Sequence, residues 1–214
     1  MEDQYFTDSA PATDGELRQV HVTARGRDLD MWVSNRVFSG GRLDLGTRQL
    51  LAEAPAVPAD GTFLDLGCGW GPLAVTLSLE APGATVWAVD VNTRALDLTQ
   101  RNARANGAAG VLALPAAEAL ERARTQDVRF DLIWSNPPVR IGKGALHQML
   151  GDWLSLLADG GVAYLVVQRN LGADSLISWL QGQGWPAHKV ASKKGYRIIE
   201  VRSLFPAKSA QSEG

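Results

Sequence analysis

The chain has 214 residues, 45% of them hydrophobic and 21% charged, a balance that excludes an intrinsically disordered protein. That length suits one domain able to bury about 70% of the surface its unfolded form exposes. Its 21 Lys and Arg against 23 Asp and Glu leave a formal charge of −2, which excludes a histone-like coating of nucleic acid but allows a local basic patch.

Residues 1–15 are polar and aperiodic and read as a flexible N-terminal arm; residues 206–214 read as a flexible tail. Met1-Glu2-Asp3-Gln4 lacks the apolar core of a secretory signal, and no apolar run reaches the length of about 18 residues that a membrane span needs. The lone Cys68 cannot close an internal disulfide, so a reducing compartment is expected and the location is predicted as cytoplasmic. A single domain is expected over 16–205, beginning with a β extension over 16–45. Within it Val20, Val22 and Ala24 alternate with polar residues, and Leu29–Val33 reads as a partner strand across a turn at Arg25–Asp28. A helix follows Gly46-Thr47 and ends near Pro55.

The texture then changes. Strands are predicted at Thr62–Leu66, Thr85–Asp90, Val111–Leu114, Phe130–Ser135 and Val162–Val167. Helices are predicted at Pro72–Glu80, Thr93–Asn106 and Ala145–Leu157. This alternation means βαβ units around a buried parallel sheet, an α/β fold. Ala187–Val190 and Tyr196–Arg202, separated by Ser192–Gly195, read as a hairpin that closes the sheet with one antiparallel strand.

Asp65-Leu66-Gly67-Cys68-Gly69-Trp70-Gly71-Pro72 lies where the first strand of this series hands over to its helix. Glycines there let a backbone approach a ligand without Cβ atoms in the way, and ligands of open α/β sheets bind at the carboxyl ends of the strands. A dinucleotide fingerprint requires G-x-G-x-x-G, but position 72 is Pro and the third glycine comes one step early. No Lys followed by Ser or Thr makes it a P-loop. Asp90 ends the next strand, where a carboxylate can accept ribose hydroxyls and repels a sugar phosphate. Asp65 adds negative charge beside the loop. A ligand with ribose, positive charge and no phosphate points to S-adenosylmethionine; the bland alternative is a tight strand-to-helix turn.

Ser135-Asn136-Pro137-Pro138-Val139-Arg140 follows the fourth strand and belongs on the same carboxyl edge. The prolines offer no N–H and stiffen the residues before them. Acceptors are therefore in excess: the Asn136 side-chain oxygen and the Pro137 carbonyl can hold both hydrogens of a conjugated NH₂ and orient its nitrogen for methylation. Alone, Asn-Pro is an ordinary turn starter.

Taken together, Asp65-Leu-Gly-Cys-Gly-Trp-Gly71, Asp90 and Asn136-Pro-Pro138 resemble the class I S-adenosylmethionine-dependent methyltransferases that act on amino groups. Val37-Phe-Ser-Gly-Gly-Arg-Leu-Asp-Leu-Gly-Thr47 resembles the corresponding segment of the "methyltransferase small" family, which includes the guanine-N2 methyltransferases of small-subunit ribosomal RNA. Gly195-Tyr-Arg197 fits the same branch, and the likeness covers residues 16–203. The resemblance implies a Rossmann-like, doubly wound, seven-stranded and mostly parallel sheet with one antiparallel strand, plus a small N-terminal β-hairpin and helix. It implies S-adenosyl-L-methionine as cofactor, held by Asp65, Gly67, Cys68, Gly69, Gly71, Asp90, Val91, Asn136 and Thr47. Asn136, Pro137 and Pro138 would be catalytic; Phe38, Val139, Arg140, Lys143 and Arg197 would meet the substrate. Phe38, Asp44 and Thr47 would cover the cofactor side of the cleft. The implied partner is ribosomal RNA or a ribosomal subunit, acted on by a monomer or homodimer.

Two departures stand out. Relatives often carry an acid for the adenine amine after the third strand, where this chain has Leu114-Pro-Ala-Ala117 with only Glu118 nearby. Many carry a base-stacking aromatic after the prolines, where this chain has Val139. A glutamine side-chain amide in a protein, for which Asn-Pro-Pro is also used, is an alternative target, but Val139 counts against it because those enzymes usually carry an aromatic there. A non-catalytic cofactor-binding module is another alternative. His21, His147 and His188 are far apart and no metal-ligand spacing is present, so no metal is expected, and without a long apolar run no membrane partner is expected either. Candidate RNA contacts are Arg36, Arg42, Arg48, Lys193, Lys194 and Arg197.

Overall fold

A computed structural model of the chain describes residues 13–34, 37 and 42–206; residues 1–12 of the arm expected over 1–15, Arg36, Phe38 and residues 207–214 of the tail expected over 206–214 lie outside the described residues. After a short 3-10 turn at Asp14–Glu16 comes a separate antiparallel hairpin, β1 (Leu17–Ala24) and β2 (Arg27–Ser34), paired from Leu17↔Ser34 to Ala24↔Arg27. Its turn is the two-residue Arg25-Gly26, with φ of 49° and 77°, tighter than the expected four residues. Two-residue loops of this left-handed kind match the twist of the strands they join. Arg25 is held in that conformation from outside the hairpin. Its Nε donates to Glu80 at 2.7 Å and its Nη1 donates to the Leu51 and Ala54 carbonyls.

Helix α1 (Leu45–Glu53) follows, and then the strand–helix alternation: β3 (Thr62–Leu66), α2 (Pro72–Glu80), β4 (Thr85–Asp90), α3 (Thr93–Ala105), β5 (Val111–Pro115), α4 (Ala116–Thr125), β6 (Phe130–Ser135), α5 (Lys143–Leu154), β7 (Leu157–Gln168), α6 (Ala173–Gly182), β8 (Ala187–Lys193) and β9 (Tyr196–Arg202). The second sheet has seven strands in the order β5-β4-β3-β6-β7-β9-β8. β9 pairs antiparallel with both β7 and β8, so it alone runs against the rest, as expected.

Three expectations need correction. Helix α4 over 116–125 and helix α6 over 173–182 were not anticipated. The helix expected over 145–157 is instead α5, Lys143–Leu154, and Leu157 already belongs to β7. Leu154, Leu156 and Leu157 are all buried, an apolar run that does not distinguish the end of a helix from the start of a strand. β7 begins with an irregular pairing, its register to β6 shifting between Phe130 and Leu132.

The sheet is covered on both sides, which is why its central strands are apolar on both faces: Phe63, Leu64, Val86, Val89 and Ile133 are all inaccessible to solvent. One core joins the sheet to the hairpin and α1–α3; the other joins it to α4–α6. The hairpin is fixed to α3 by amides that imitate a neighbouring strand. Asn102 accepts from Trp32 N at 2.6 Å and donates to Trp32 O at 2.9 Å, while Asn106 does the same for Asp30.

Strand order reverses between β3 and β6, since β4 and β5 lie to one side of β3 and β6 and β7 to the other. A crevice opens at such a switch point, beyond the carboxyl ends of the strands. Both motifs read from the sequence leave the sheet there. Among the described residues, no helix is long and apolar enough to cross a membrane.

Candidate active site

Register brings the pieces together. Leu66 on β3 pairs with Val89 on β4 and with Ser135 on β6, and Ser135 Oγ donates to Leu66 O at 2.7 Å. Gly67, Asp90 and Asn136 are the next residues on their strands and therefore leave the sheet side by side.

The glycine loop turns sharply, with φ of 78° at Gly67, 57° at Gly69 and 88° at Gly71. The three glycines do different work. A Cβ at Gly67 or Gly69 would meet nothing within 4 Å, so these positions border open space. A Cβ at Gly71 would lie 2.8 Å from Thr99 Oγ1 and 3.1 Å from Thr99 Cα, so Gly71 lets α3 pack closely. Gly67 and Cys68 donate their N–H groups to Val89 O at 2.9 and 3.0 Å, tying the loop to β4. The Cys68 side chain is buried beneath the loop, where Thr99 Oγ1 donates to its sulfur at 3.4 Å. Burial, with the charges of Asp90 and Asp65, pushes its thiol well above the ordinary range. It packs the loop from below and turns no reactive group to the crevice.

Asp65 is fully buried. Its Oδ2 accepts from Ala74 N at 2.9 Å, whereas its Oδ1 finds no partner among the described residues. Burial raises its carboxyl from 3.8 to about 8; the Ala74 N–H opposes the rise and the nearby Asp90 charge adds to it. Asp90 is half-buried. Its Oδ2 accepts from Gly69 N and its Oδ1 from Asn92 N, both at 2.9 Å. Burial raises this carboxyl too, against the N–H groups of Asn92, Gly69 and Val91. Val91, directly beyond, is 66% exposed, a large apolar side chain left open at the crevice. An orphaned buried oxygen, two acids and an arc of glycines backed by open space suit a ligand with a positive charge, hydroxyls and a flat apolar part. They do not suit a phosphate.

Across the crevice, Asn136 is half-buried and its amide is fully specified. Nδ2 donates to Asp44 Oδ2 at 2.8 Å and to Thr47 Oγ1 at 3.0 Å. An ionised carboxylate only accepts, so the amide nitrogen faces Asp44 and Oδ1 is left as an outward acceptor. Asp44 caps α1 with the same oxygen, accepting from Thr47 N at 3.2 Å. Pro137 is less open than the sequence suggests. Pro138 adopts φ −74° and ψ 74°, an inverse γ-turn, and the Pro137 carbonyl accepts from Val139 N at 2.8 Å. One of its two lone pairs remains.

The substrate-side residues are less uniform. Val139 packs against the core of α4–α6 and does not present an aromatic-like face. Arg140 is exposed in the 3-10 turn Val139–Ile141, and Lys143 is exposed at the first residue of α5. Arg197 is largely buried and paired with Asp174 of α6. Lys193 is paired with Glu53 at 2.9 Å, and Arg42, Arg48 and Lys194 are exposed. Tyr196, at the start of β9, gains no individual role from the sequence, although Gly195-Tyr-Arg197 fits the family branch. A Cβ on Gly46 would lie 2.9 Å from Tyr196 Cε1, 2.9 Å from Asp44 Oδ2 and 3.3 Å from Asn136 Nδ2, so the tyrosine ring flanks the capped asparagine. Burial and the Asp44 charge raise its hydroxyl. Trp70 and Trp134 are core residues, 2% and 1% exposed.

The methyltransferase small domain matches residues 28–200 of the chain. An uncharacterized protein of Bacillus subtilis, YbxB, is 29% identical over 206 residues, covering 95% of this chain and 100% of YbxB. The ribosomal RNA small subunit methyltransferase C of Pseudomonas aeruginosa is 32% identical over 198 residues, covering 91% of this chain and 53% of the enzyme. Among solved structures, the T. thermophilus 16S rRNA N2 methyltransferase RsmC, in complex with AdoMet and guanosine, superposes with a TM-score of 0.73 at 25% identity, covering 91% of this chain and 52% of that one. The chain thus spans about half the length of these ribosomal RNA methyltransferases and the whole of YbxB.

Proposed function

The chain belongs to the methyltransferase small domain family, and from that footing we propose that it methylates an exocyclic NH₂, guanine N2 of ribosomal RNA. Its cofactor is S-adenosyl-L-methionine. When bound, the cofactor supplies an electrophilic methyl carbon and takes back the electron pair of the breaking carbon–sulfur bond. Asp65 and the open arc at Gly67 and Gly69 would hold its charged methionine end, Asp90 its ribose and Val91 its adenine. Asp90 already accepts Gly69 and Asn92 N–H groups, so ribose hydroxyls would share its remaining lone pairs.

The observation that carries the reading is the state of Asn136. Both polar partners of its NH₂ group lie on α1, which leaves its carbonyl oxygen to accept from a target amine beside the glycine loop. The remaining lone pair of the Pro137 carbonyl takes the second hydrogen. Held by both, the target nitrogen turns its lone pair out of conjugation. Its N–H groups become more acidic as positive charge builds, so the two acceptors grip the transition state more tightly than the ground state. No strong base is needed, because the methylated nitrogen loses its proton to water. Tyr196 is the aromatic candidate to lie against the target base, in place of the stacking residue that Val139 cannot supply.

The test is labelled methyl transfer into cell extract by wild type and Asn136→Ala. The variant is expected to lose activity by at least about 100-fold, as for removal of one oriented polar contact to a transition state, with cofactor affinity retained. RNase digestion should release the label. Label that survives RNase and is removed by protease would assign the activity to protein amides; undiminished transfer by Asn136→Ala would overturn the catalytic assignment.

A further inference from the structure

We propose that Asp44 is a positioning residue for the transfer, acting through Asn136: the cap of α1 doubles as the clamp that points the asparagine oxygen at the target amine. This rests on the proposed methyl transfer and gives Asp44, which the resemblance placed only as a cover on the cofactor side of the cleft, a role exerted through Asn136.

An asparagine amide can rotate by a half-turn and exchange its oxygen for its nitrogen at almost no change in shape. In one orientation Asn136 offers an acceptor to an incoming NH₂; in the other it offers a donor, which repels it. Asp44 Oδ2, 2.8 Å from Asn136 Nδ2, accepts only and so forbids the second orientation. Thr47 Oγ1 accepts from the same nitrogen at 3.0 Å, but a hydroxyl serves either orientation, so the choice rests on Asp44. The same carboxylate oxygen accepts Thr47 N at 3.2 Å, which fixes Asp44 to the helix start and keeps it from following the amide. Gly46 makes the approach possible, since a Cβ there would strike Asp44 Oδ2 and Tyr196 Cε1, each at 2.9 Å. The charge matters as well as the geometry. Donation from the amide to an anion draws electron density onto Oδ1, making it a stronger acceptor for hydrogens that grow more acidic during transfer.

Two substitutions separate these effects from helix stability. Asp44→Ser keeps a good helix cap but is too short to reach Asn136. Asp44→Asn keeps the cap and can still accept from Asn136, without the charge. The expected result is a fall in kcat of about 100-fold for Asp44→Ser and about 10-fold for Asp44→Asn, with KM for RNA, cofactor affinity and Tm close to wild type. A structural role alone would move Tm or KM and would not rank the two variants this way. Independently of turnover, the side-chain amide signals of Asn136, identified by their loss in Asn136→Ala, should shift and lose exchange protection in Asp44→Ser. Wild-type kcat in Asp44→Ser, or Asn136 amide signals that do not respond to it, would overturn the proposal. Amide signals that respond as expected in a protein that transfers no methyl would instead support the clamp and refute the function proposed for it.

Discussion

Asp65 makes cofactor affinity depend on pH in a way the structure sets. Its carboxyl is fully buried with Oδ1 unpartnered, and burial lifts it from 3.8 to about 8. The free protein therefore holds it largely protonated at neutral pH. A ligand that brings an ammonium group to this oxygen binds with the carboxylate ionised and releases one proton. With the carboxyl only half-ionised at about pH 8, affinity should fall by about 20- to 50-fold between about pH 8 and about pH 6, steepening towards about tenfold per unit at the acid end. The α-amino group of the methionine end, with an ordinary pKa of about 7.7–8.0, turns the curve down on the alkaline side, so affinity peaks near pH 8. The effect on folding has the complementary sign. Because the folded pKa lies above the unfolded one, the stability this group contributes is fully present below about 4 and is lost as pH rises through about 8. The rise in Tm on adding cofactor should accordingly grow with pH over that interval. Calorimetric titration across this range, in buffers of different ionisation heat, measures both the affinity and the released proton. Asp65→Asn should flatten the acid limb, since an amide has no proton to release. A wild-type affinity that is flat below pH 8, with no proton released, would refute the reasoning.

Two further outcomes follow from the packing around the site. Asn102→Ala should cost about 2–4 kcal/mol in urea unfolding, because it strands the Trp32 N–H and the Trp32 and Trp70 carbonyls, which Asn102 now meets at 2.6, 2.9 and 2.7 Å. A loss below about 0.5 kcal/mol would mean that the hairpin is not anchored through this amide. Cys68 should resist alkylation by iodoacetamide in the native protein and react only at the rate of unfolding, given its 4% exposure and raised thiol. Rapid labelling of folded protein would place the thiol on the surface of the loop instead.

The parts of the fold that were legible in the sequence are those whose signal is local. β3, β4 and β6 occupy the predicted spans because each is a short apolar run bounded by turn residues, and α2 begins at Pro72, a residue suited to a first helical turn. Helix α4 was hidden because its buried face is made of Ala119 and Ala123, which carry no strong hydrophobic periodicity. Helix α6 was readable in principle: Ala173, Leu176 and Leu180 have helical spacing and all three are buried. The glycine loop and Asn-Pro-Pro were visible because strand ends on a parallel sheet converge by register, so a local motif at each end implies a shared site.

What the sequence concealed is the support of that site, which is long-range. Asn136 and Asp44 lie 92 positions apart, and no spacing rule connects a helix cap to the residue after a distant strand. The three glycines of the loop make the same point, for they look alike in sequence while two border open space and the third accommodates Thr99. Pro137 shows the reverse case. The absence of N–H groups in Pro-Pro predicted unoccupied acceptors, yet the γ-turn at Pro138 supplies one donor, the Val139 N–H, and halves the capacity of the Pro137 carbonyl. That shifts the main demand for acceptance onto Asn136 Oδ1, and so onto whatever fixes the amide's orientation. A site whose chemistry depends on one rotatable amide needs an acceptor-only neighbour of fixed position, and the N-terminus of α1 supplies one because a capping carboxylate is itself held by the helix it caps.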